Sequence, residues 1–524
     1  VTLFRDHNSD FRKQRSSKMK RRHVIFLALL TACLVFGMAL AQNDRLIIGS
    51  TAEVSGFDPR TATDVPSFER INVIMEPLVV FDRSLGLQPR LATDWEIADD
   101  GLTLTFFLRD GVRFHHGRAF TAEDVKYTFD WVLDADNGAP NRSLYTAIES
   151  IDTPDDLTVV FNLNEINSFL INNIARQPIV PADLGADAAA FNQRPSGTGP
   201  YQFESQVRDD RLILRRFDDY WGGAGALEFL EFRVIPENAT RLLAFEAGEI
   251  DVTQGQLPPT ELDRLEADPN FILERTPGTG YTYLGFNTNR SVLGDVRVRQ
   301  ALNHLIPREA IVERVLNGNG FPGISMLLPT MPWFNDAVRR FPYDPELAQR
   351  LLEEAGVNFD TPLRLYTNDN TVRMQIAEIL EFEFSQIGLQ LEVNIEEFGA
   401  FIDRIQTTDD YDMFILGWGG QLDPDRATIR QFHSDPEFGS ANYTFYSNPR
   451  VDELLLRGRS TDPTSDESIA IYQEISAIVV EEAPYAFINY TEETALYHPW
   501  VEGWSVHPYQ PNTYQDAHLI RKHR

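Results

Sequence analysis

Hydrophobic residues follow two periods along this chain, and the two take turns from one end to the other. Residues 45–49 (RLIIG) predict a short buried strand, and Leu102-Thr-Leu-Thr-Phe106 alternates apolar with polar residues as a half-buried strand does. Thr121-Ala-Glu-Asp124 is a capping-box-like start, after which Val125, Phe129, Val132 and Leu133 share one helical face. Asp344-Pro345-Glu346 opens a further helix. Leu347, Leu351, Leu352 and Ala355 form its stripe, and Gly356 stops it. A helix over 372–387 ends at Gly388, before an alternating strand over 389–395. A last helix over 466–480 is closed by Pro484 and followed by a strand over 485–490. Strands interleaved with helices indicate α/β architecture, mixed sheets covered by helices. With no internal repeat and no low-complexity linker, the units must be joined by short crossings.

The first forty residues have a different pattern. Lys18, Lys20, Arg21 and Arg22 precede an apolar run over 24–40 that ends in Ala39-Leu40-Ala41. Positive cluster, apolar core and small-residue cleavage site together predict a secretory signal peptide, with Met19 as the natural start and cleavage after Ala41. The run falls short of the ~20 residues a spanning helix needs. The mature protein is therefore expected to be soluble and periplasmic or otherwise extracytoplasmic. Leu30-Thr31-Ala32-Cys33 resembles a lipobox, so the alternative is a lipid anchor on Cys33.

Composition narrows the function. The 524 residues carry a formal net charge of −31, and removing 1–41, with eight basic and two acidic residues, takes it to −37. That acidity argues against nucleic acid as a partner. At ~150 residues per domain the length suggests about three units. The lone Cys33 removes disulfide scaffolds and cysteine-based metal sites. With few histidines as well, no metal or cofactor is expected. Zinc-protease, nucleophile-elbow and Walker motifs are missing. Gly318, Gly320 and Gly323 have dinucleotide-loop spacing but follow a helical pattern, so they predict a turn. His115-His116 reads as a pair of surface histidines, and the adjacent acidic pairs read as solvated surface.

One stretch is far more specific. Residues 91–129 read LATDWEIADDGLTLTFFLRDGVRFHHGRAFTAEDVKYTF. The string closely resembles the signature of the family 5 extracellular solute-binding proteins, the dipeptide, oligopeptide and nickel type that serve ABC importers. Further blocks agree in order: PSGTGPYQF at 195–203, DDYWGG at 218–223, TRLLAFEAGEIDV at 240–252, LGFNTN at 284–289, DVRVRQALNHLI at 295–306, YDPELAQRLLEEAG at 343–356 and GWGGQLDPD at 417–425. Most of these residues read as structural. Trp95 and Phe114 are core anchors, Gly248 caps a helix, and Tyr220-Trp221 pack. Gly197, Gly199 and Pro200 supply a turn of unusual backbone geometry.

The resemblance implies a two-lobed periplasmic-binding-protein fold of type II with an extra subdomain and a ligand cleft between the lobes. By that analogy 45–85, 205–285 and 490–524 form the core of the first lobe, 86–204 an insert in it, and 286–489 the second lobe. The chain would cross the hinge near Phe286-Asn287 and again near Asn489-Tyr490. The leading candidates for ligand contact are Trp418, Gly419, Gly420 and Gln421, in a glycine-rich loop with a broad aromatic face. In the peptide-binding relatives the third residue after this tryptophan is an Asp that pairs with the peptide ammonium. Here it is Gln421, which cannot neutralise a buried ammonium, and Asp423 is a candidate substitute. Glu53 and Val54, after the first strand, form a second candidate strip. Tyr283, Phe286 and Asn287 form a third.

The expected function is capture of an extracytoplasmic solute and its delivery to ABC permease subunits by a non-enzymatic, monomeric protein. A di- or oligopeptide is the leading ligand class, and the Gln421 departure keeps a neutral oligosaccharide open. Two other classes remain: a sensor that presents ligand to a receptor, and a secreted hydrolase, for which no catalytic constellation was found.

Overall fold

The computed structural model describes residues 44–254, 257 and 259–523; the expected leader, with Met19 and Cys33, lies outside them. Local signals turn into elements where the capping chemistry is strong. Thr121 and Asp124 form a capping box at the start of the helix Ala122–Leu133. The Asp344 side chain accepts the Leu347 N–H at the head of the helix Pro345–Glu354, and Gly356 follows it in the left-handed region, φ 75°. The helix Thr371–Gln386 ends the same way at Gly388, φ 81°. Gly318 and Gly320, φ 77° and 138°, turn the chain into the two-residue strand Phe321–Pro322, as expected of a turn.

Two long antiparallel strands, Ile272–Phe286 and Tyr485–Tyr497, run through the middle of an 11-stranded sheet among the described residues. Beyond the first lie Met413–Trp418, Leu363–Asn368 and Leu391–Glu396. Beyond the second lie Val252–Gln254, Arg45–Ser50, Phe229–Val234 and the hairpin of Arg211–Arg216 with Tyr201–Val207. The two long strands therefore serve both lobes. Their register breaks between Pro277 and Tyr281, and from Tyr281 onward the first is paired with Met413–Trp418 of the second lobe. The first crossing thus lies at 277–281, several residues before Phe286-Asn287, because 281–286 are already a central strand of the second lobe. The return strand, expected over 485–490, continues to Tyr497 because its second half joins the first lobe's sheet.

Core packing follows the pleat. Tyr281, Tyr283, Phe414, Leu416, Tyr485 and Phe487 cover one face of the second lobe's sheet, while Leu284, Phe286, Met413, Ile415, Ala486 and Ile488 cover the other. A separate four-stranded sheet, Ala92–Ile97, Thr103–Leu108, Thr158–Leu163 and Ile148–Asp155, carries the insert. Its core takes in Leu78 and Phe81, runs to Ile179 along this part of the chain and also includes Leu422 and Tyr509, whereas Val180, Phe191 and Tyr201 pack in the first lobe.

The lobes exchange side chains where they meet. Phe169 of the insert is buried in the second lobe's core, edge-on to Trp333 and Tyr472 at 5.9 and 5.8 Å. Leu422 of the second lobe is buried in the insert's core. The Ser168 N–H donates to Arg459 O at 2.9 Å, and Arg459 stands 3.1 Å from Asp425 and 3.8 Å from Glu165.

Two expectations need correction here. Gly197 and Gly199 do not have positive φ; a Cβ on them would lie 2.1 Å from Ile74 O and 2.3 Å from Val73 O, so close backbone approach is what excludes a side chain. His115 is not a surface histidine. Its Nε2 lies 2.9 Å from Gly199 O and its Nδ1 accepts the Gly197 N–H, and burial pulls its pKa down to about 4.

Candidate functional site

Between the lobes, beside the crossing strands, lies a cavity of about 570 Å³, within the range of small-molecule sites. Each lobe supplies part of the wall. The insert contributes Tyr145, Arg176 and Gln177, the first lobe Asp64, Phe68 and Gln510, and the second lobe Trp418, Gly419, Gly420 and Arg426. Thr279, Gly280, Thr491 and Glu493 of the long strands close it where the sheet passes from one lobe to the other.

The Trp418 loop is built by the sheet edge and the helix after it. Tyr281 is the register partner of Trp418, and a Cβ on Gly280 would lie 2.7 Å from Trp418 O, so glycine lets the two strands meet. The Trp418 ring stacks on Tyr443, 6.3 Å between centroids, which fixes its plane. Gly420 takes φ 65°, and its carbonyl accepts from both Arg176 Nη1, 3.1 Å, and Arg426 Nε, 3.2 Å. One guanidinium from each lobe thus converges on a single oxygen.

The nearest opposite charge acting on Arg426 is its own helix cap, Asp423, which is not in ion-pair contact with it. Neither Arg176 nor Arg426 forms an ion pair among the described residues, and Arg426 Nη1 is buried without a protein partner. Burial, with the like charges of Arg176 and Arg430 beside it, pulls Arg426 down to about 9. Arg176 also lies 5.2 Å over the Tyr509 ring. Two carboxylates line the same cavity. Asp64 is engaged as a helix N-cap, accepting the Ser67 N–H and Ser67 Oγ at 2.8 and 2.9 Å. Glu493 is free of such contacts, and burial, with Glu69 nearby, pushes it up to about 8.

The fold and this cavity can be set beside known proteins. The family model described as bacterial extracellular solute-binding proteins, family 5 (Middle), matches residues 86–439. This chain belongs to that family. Among family 5 relatives, the chain is 28% identical to di/tripeptide-binding protein 1 of Pseudomonas aeruginosa, over 95% of this chain and 98% of that one. It is 29% identical to the oligopeptide-binding protein AppA of Bacillus subtilis, over 89% and 90%. A solved dipeptide-binding protein of Pseudoalteromonas sp. SM9913, in complex with Met-Leu, superposes with a TM-score of 0.81 at 27% identity, covering 91% of this chain and all of that one. The two-lobed fold is therefore that of family 5.

Not all candidates from the sequence reach the family 5 cavity. Trp418, Gly419 and Gly420 line it. Gln421 and Asp423 do not, because the residue between them, Leu422, is the knob inserted in the insert's core. Gln421 is 2% exposed, with its N–H donating to Thr279 O at 2.8 Å and its side-chain amide to Gly419 O at 3.3 Å. Asp423 is an N-cap that accepts the Arg426 N–H at 2.8 Å, and burial with Asp425 beside it pushes it up to about 6. Glu53 lies outside the cavity, accepting from Gln206 Nε2 at 2.6 Å, and Val54 packs on the first lobe's core.

Tyr283 and Phe286 have no exposed surface, since each faces a covered side of the second lobe's sheet. Asn287, equally buried, donates to the Asp409 and Tyr411 carbonyls at 3.0 and 2.9 Å and holds the strand end. Arg176, Arg426 and Glu493 were missed from the sequence. Arg426 lies in the first turn of the helix capped by Asp423, directly after the block at 417–425, and charge on that helix is the one signal available.

Proposed function

We propose that this chain captures short peptides outside the cytoplasm and delivers them to an ABC permease, making and breaking no bonds. The observation that carries the reading is the pair Arg176 and Arg426, unpaired guanidinium groups from opposite lobes that meet at Gly420 O. A carboxylate bound there gains charge-assisted hydrogen bonds from both lobes at once. A ligand that touches both lobes favours the closed arrangement over the open one, and closure is what a permease can read. The peptide-binding names of the relatives support the same class. A neutral oligosaccharide would leave both cations unpaired in a desolvated site, at the cost of a buried charge without a partner. Trp418 then serves as an apolar wall for a peptide side chain.

The test is thermal stabilisation of the purified protein by a panel of di- and tripeptides, their C-terminal amides, and maltotriose. Free peptides are expected to raise the melting temperature, amides to do so much less, and maltotriose not at all. In Arg426→Ala the advantage of the free carboxylate should shrink while the unliganded protein still folds. Stabilisation by maltotriose alone would refute the assignment.

A further inference from the structure

The cavity contains one acid that the fold itself leaves unused. Thr491, Glu492 and Glu493 are consecutive in the strand Tyr485–Tyr497, where side chains alternate between faces. Thr491 and Glu493 line the cavity, while Glu492 turns away to Arg275, 3.6 Å distant. Across the paired strand, Gly278 leaves the space the carboxylate occupies: a Cβ there would stand 3.2 Å from Glu493 Oε1 and 2.5 Å from Thr491 Oγ1. The acids around it are engaged, Asp64 as a helix cap and Glu69 in an ion pair with Arg70 at 2.5 Å. The Glu493 carboxylate has no hydrogen bond and no ion pair among the described residues. A half-buried acid that lines the cavity and is tied to nothing in the protein suits a cation that arrives with the ligand.

We propose that Glu493 receives the ammonium group at the amino terminus of the bound peptide, while Arg176 and Arg426 receive its carboxylate. The proposal rests on the peptide reading above and adds the group that selects a free amino terminus. Gln421 cannot fill that place, being neutral and no part of the cavity wall. In the empty site near neutral pH the Glu493 carboxyl holds its proton, since burial pushes it up to about 8. An ammonium brought beside it favours the carboxylate, so the proton passes to solvent as the ion pair forms. Binding therefore releases protons at neutral pH, one for each Glu493 that ionises.

Calorimetric titration of the full protein with Ala-Leu, Ala-Ala-Leu and their N-acetylated forms tests this. Wild type is expected to prefer the free amino terminus by about tenfold or more, equivalent to ~1.4 kcal/mol. Glu493→Gln should bind free and acetylated forms alike, because the amide matches the neutral acid in shape and carries no charge. Titration in two buffers of different ionisation enthalpy should show protons released by wild type and none by the variant. A variant that keeps the preference for a free amino terminus overturns the role of Glu493 and leaves the peptide reading standing. Equal binding of both forms by wild type overturns it too. Wild type that binds none of the four overturns both readings.

Discussion

Phe169→Ala is expected to open the protein without unfolding either lobe. The ring is 1% exposed, yet it belongs to the insert and is packed among residues of the second lobe, between Trp333 and Tyr472. Truncating a buried phenylalanine costs about 3–5 kcal/mol in a single core. Here the socket is emptied whenever the lobes part, so the loss falls on the closed arrangement and leaves the open one nearly untouched. A shift of about 3 kcal/mol moves a two-state equilibrium roughly a hundredfold. Phe169 does not line the cavity, so weaker ligand binding in this variant would come through the closing equilibrium. Small-angle scattering should show a larger radius of gyration for the variant than for wild type, and titration a dissociation constant raised by up to about two decades. Unchanged scattering together with unchanged affinity would mean that the exchange of Phe169 and Leu422 does not govern closure.

The second large effect is expected at Glu76, buried just beyond the helix Val65–Ile74. It accepts from Thr198 Oγ1, Tyr220 OH and Trp221 Nε1 at 2.9, 2.8 and 2.9 Å, and Arg90 Nε lies 3.8 Å away. Thr198 belongs to the block at 195–203 and Tyr220-Trp221 to the block at 218–223, so one carboxylate joins segments remote in sequence. Burial raises its pKa, against the pull of Arg90 and the three donors. Glu76→Ala strands those donors and leaves Arg90 with Asp516 alone, which is half exposed. Breaking a buried pair in this way costs about 3–5 kcal/mol, a large share of the ~5–15 kcal/mol that holds a native protein. Denaturant unfolding should show that loss, with a smaller one in Glu76→Gln, where an acceptor oxygen remains. A loss below about 1 kcal/mol would show that the donors find other partners.

Much of the fold could be read from short stretches because the signals that set it are local. Asp344 with Pro345, Thr121 with Asp124, and Gly356 and Gly388 fix helix ends through neighbours a few residues away. Alternation along 102–106 located a strand for the same reason. The site was less accessible. The motif around Trp418 points to a loop that lines the cavity, yet which of its residues face that cavity depends on Leu422 entering another core, and no local pattern records that. Tyr283 and Phe286 looked suited to a cleft, but a central strand with both faces covered has no side free for ligand. Arg176 and Arg426 are 250 positions apart and meet only because the lobes close on Gly420. Glu493 reaches the cavity through strand register. An expectation that the strand ended at Tyr490 could not have placed it there.

The central claim, that the cavity between the lobes holds a peptide, is tested most directly by native mass spectrometry of the protein purified without denaturant. The account expects one-to-one adducts, a set of masses that fit short peptides, released when the protein is unfolded. Adducts spaced by a hexose unit would contradict it.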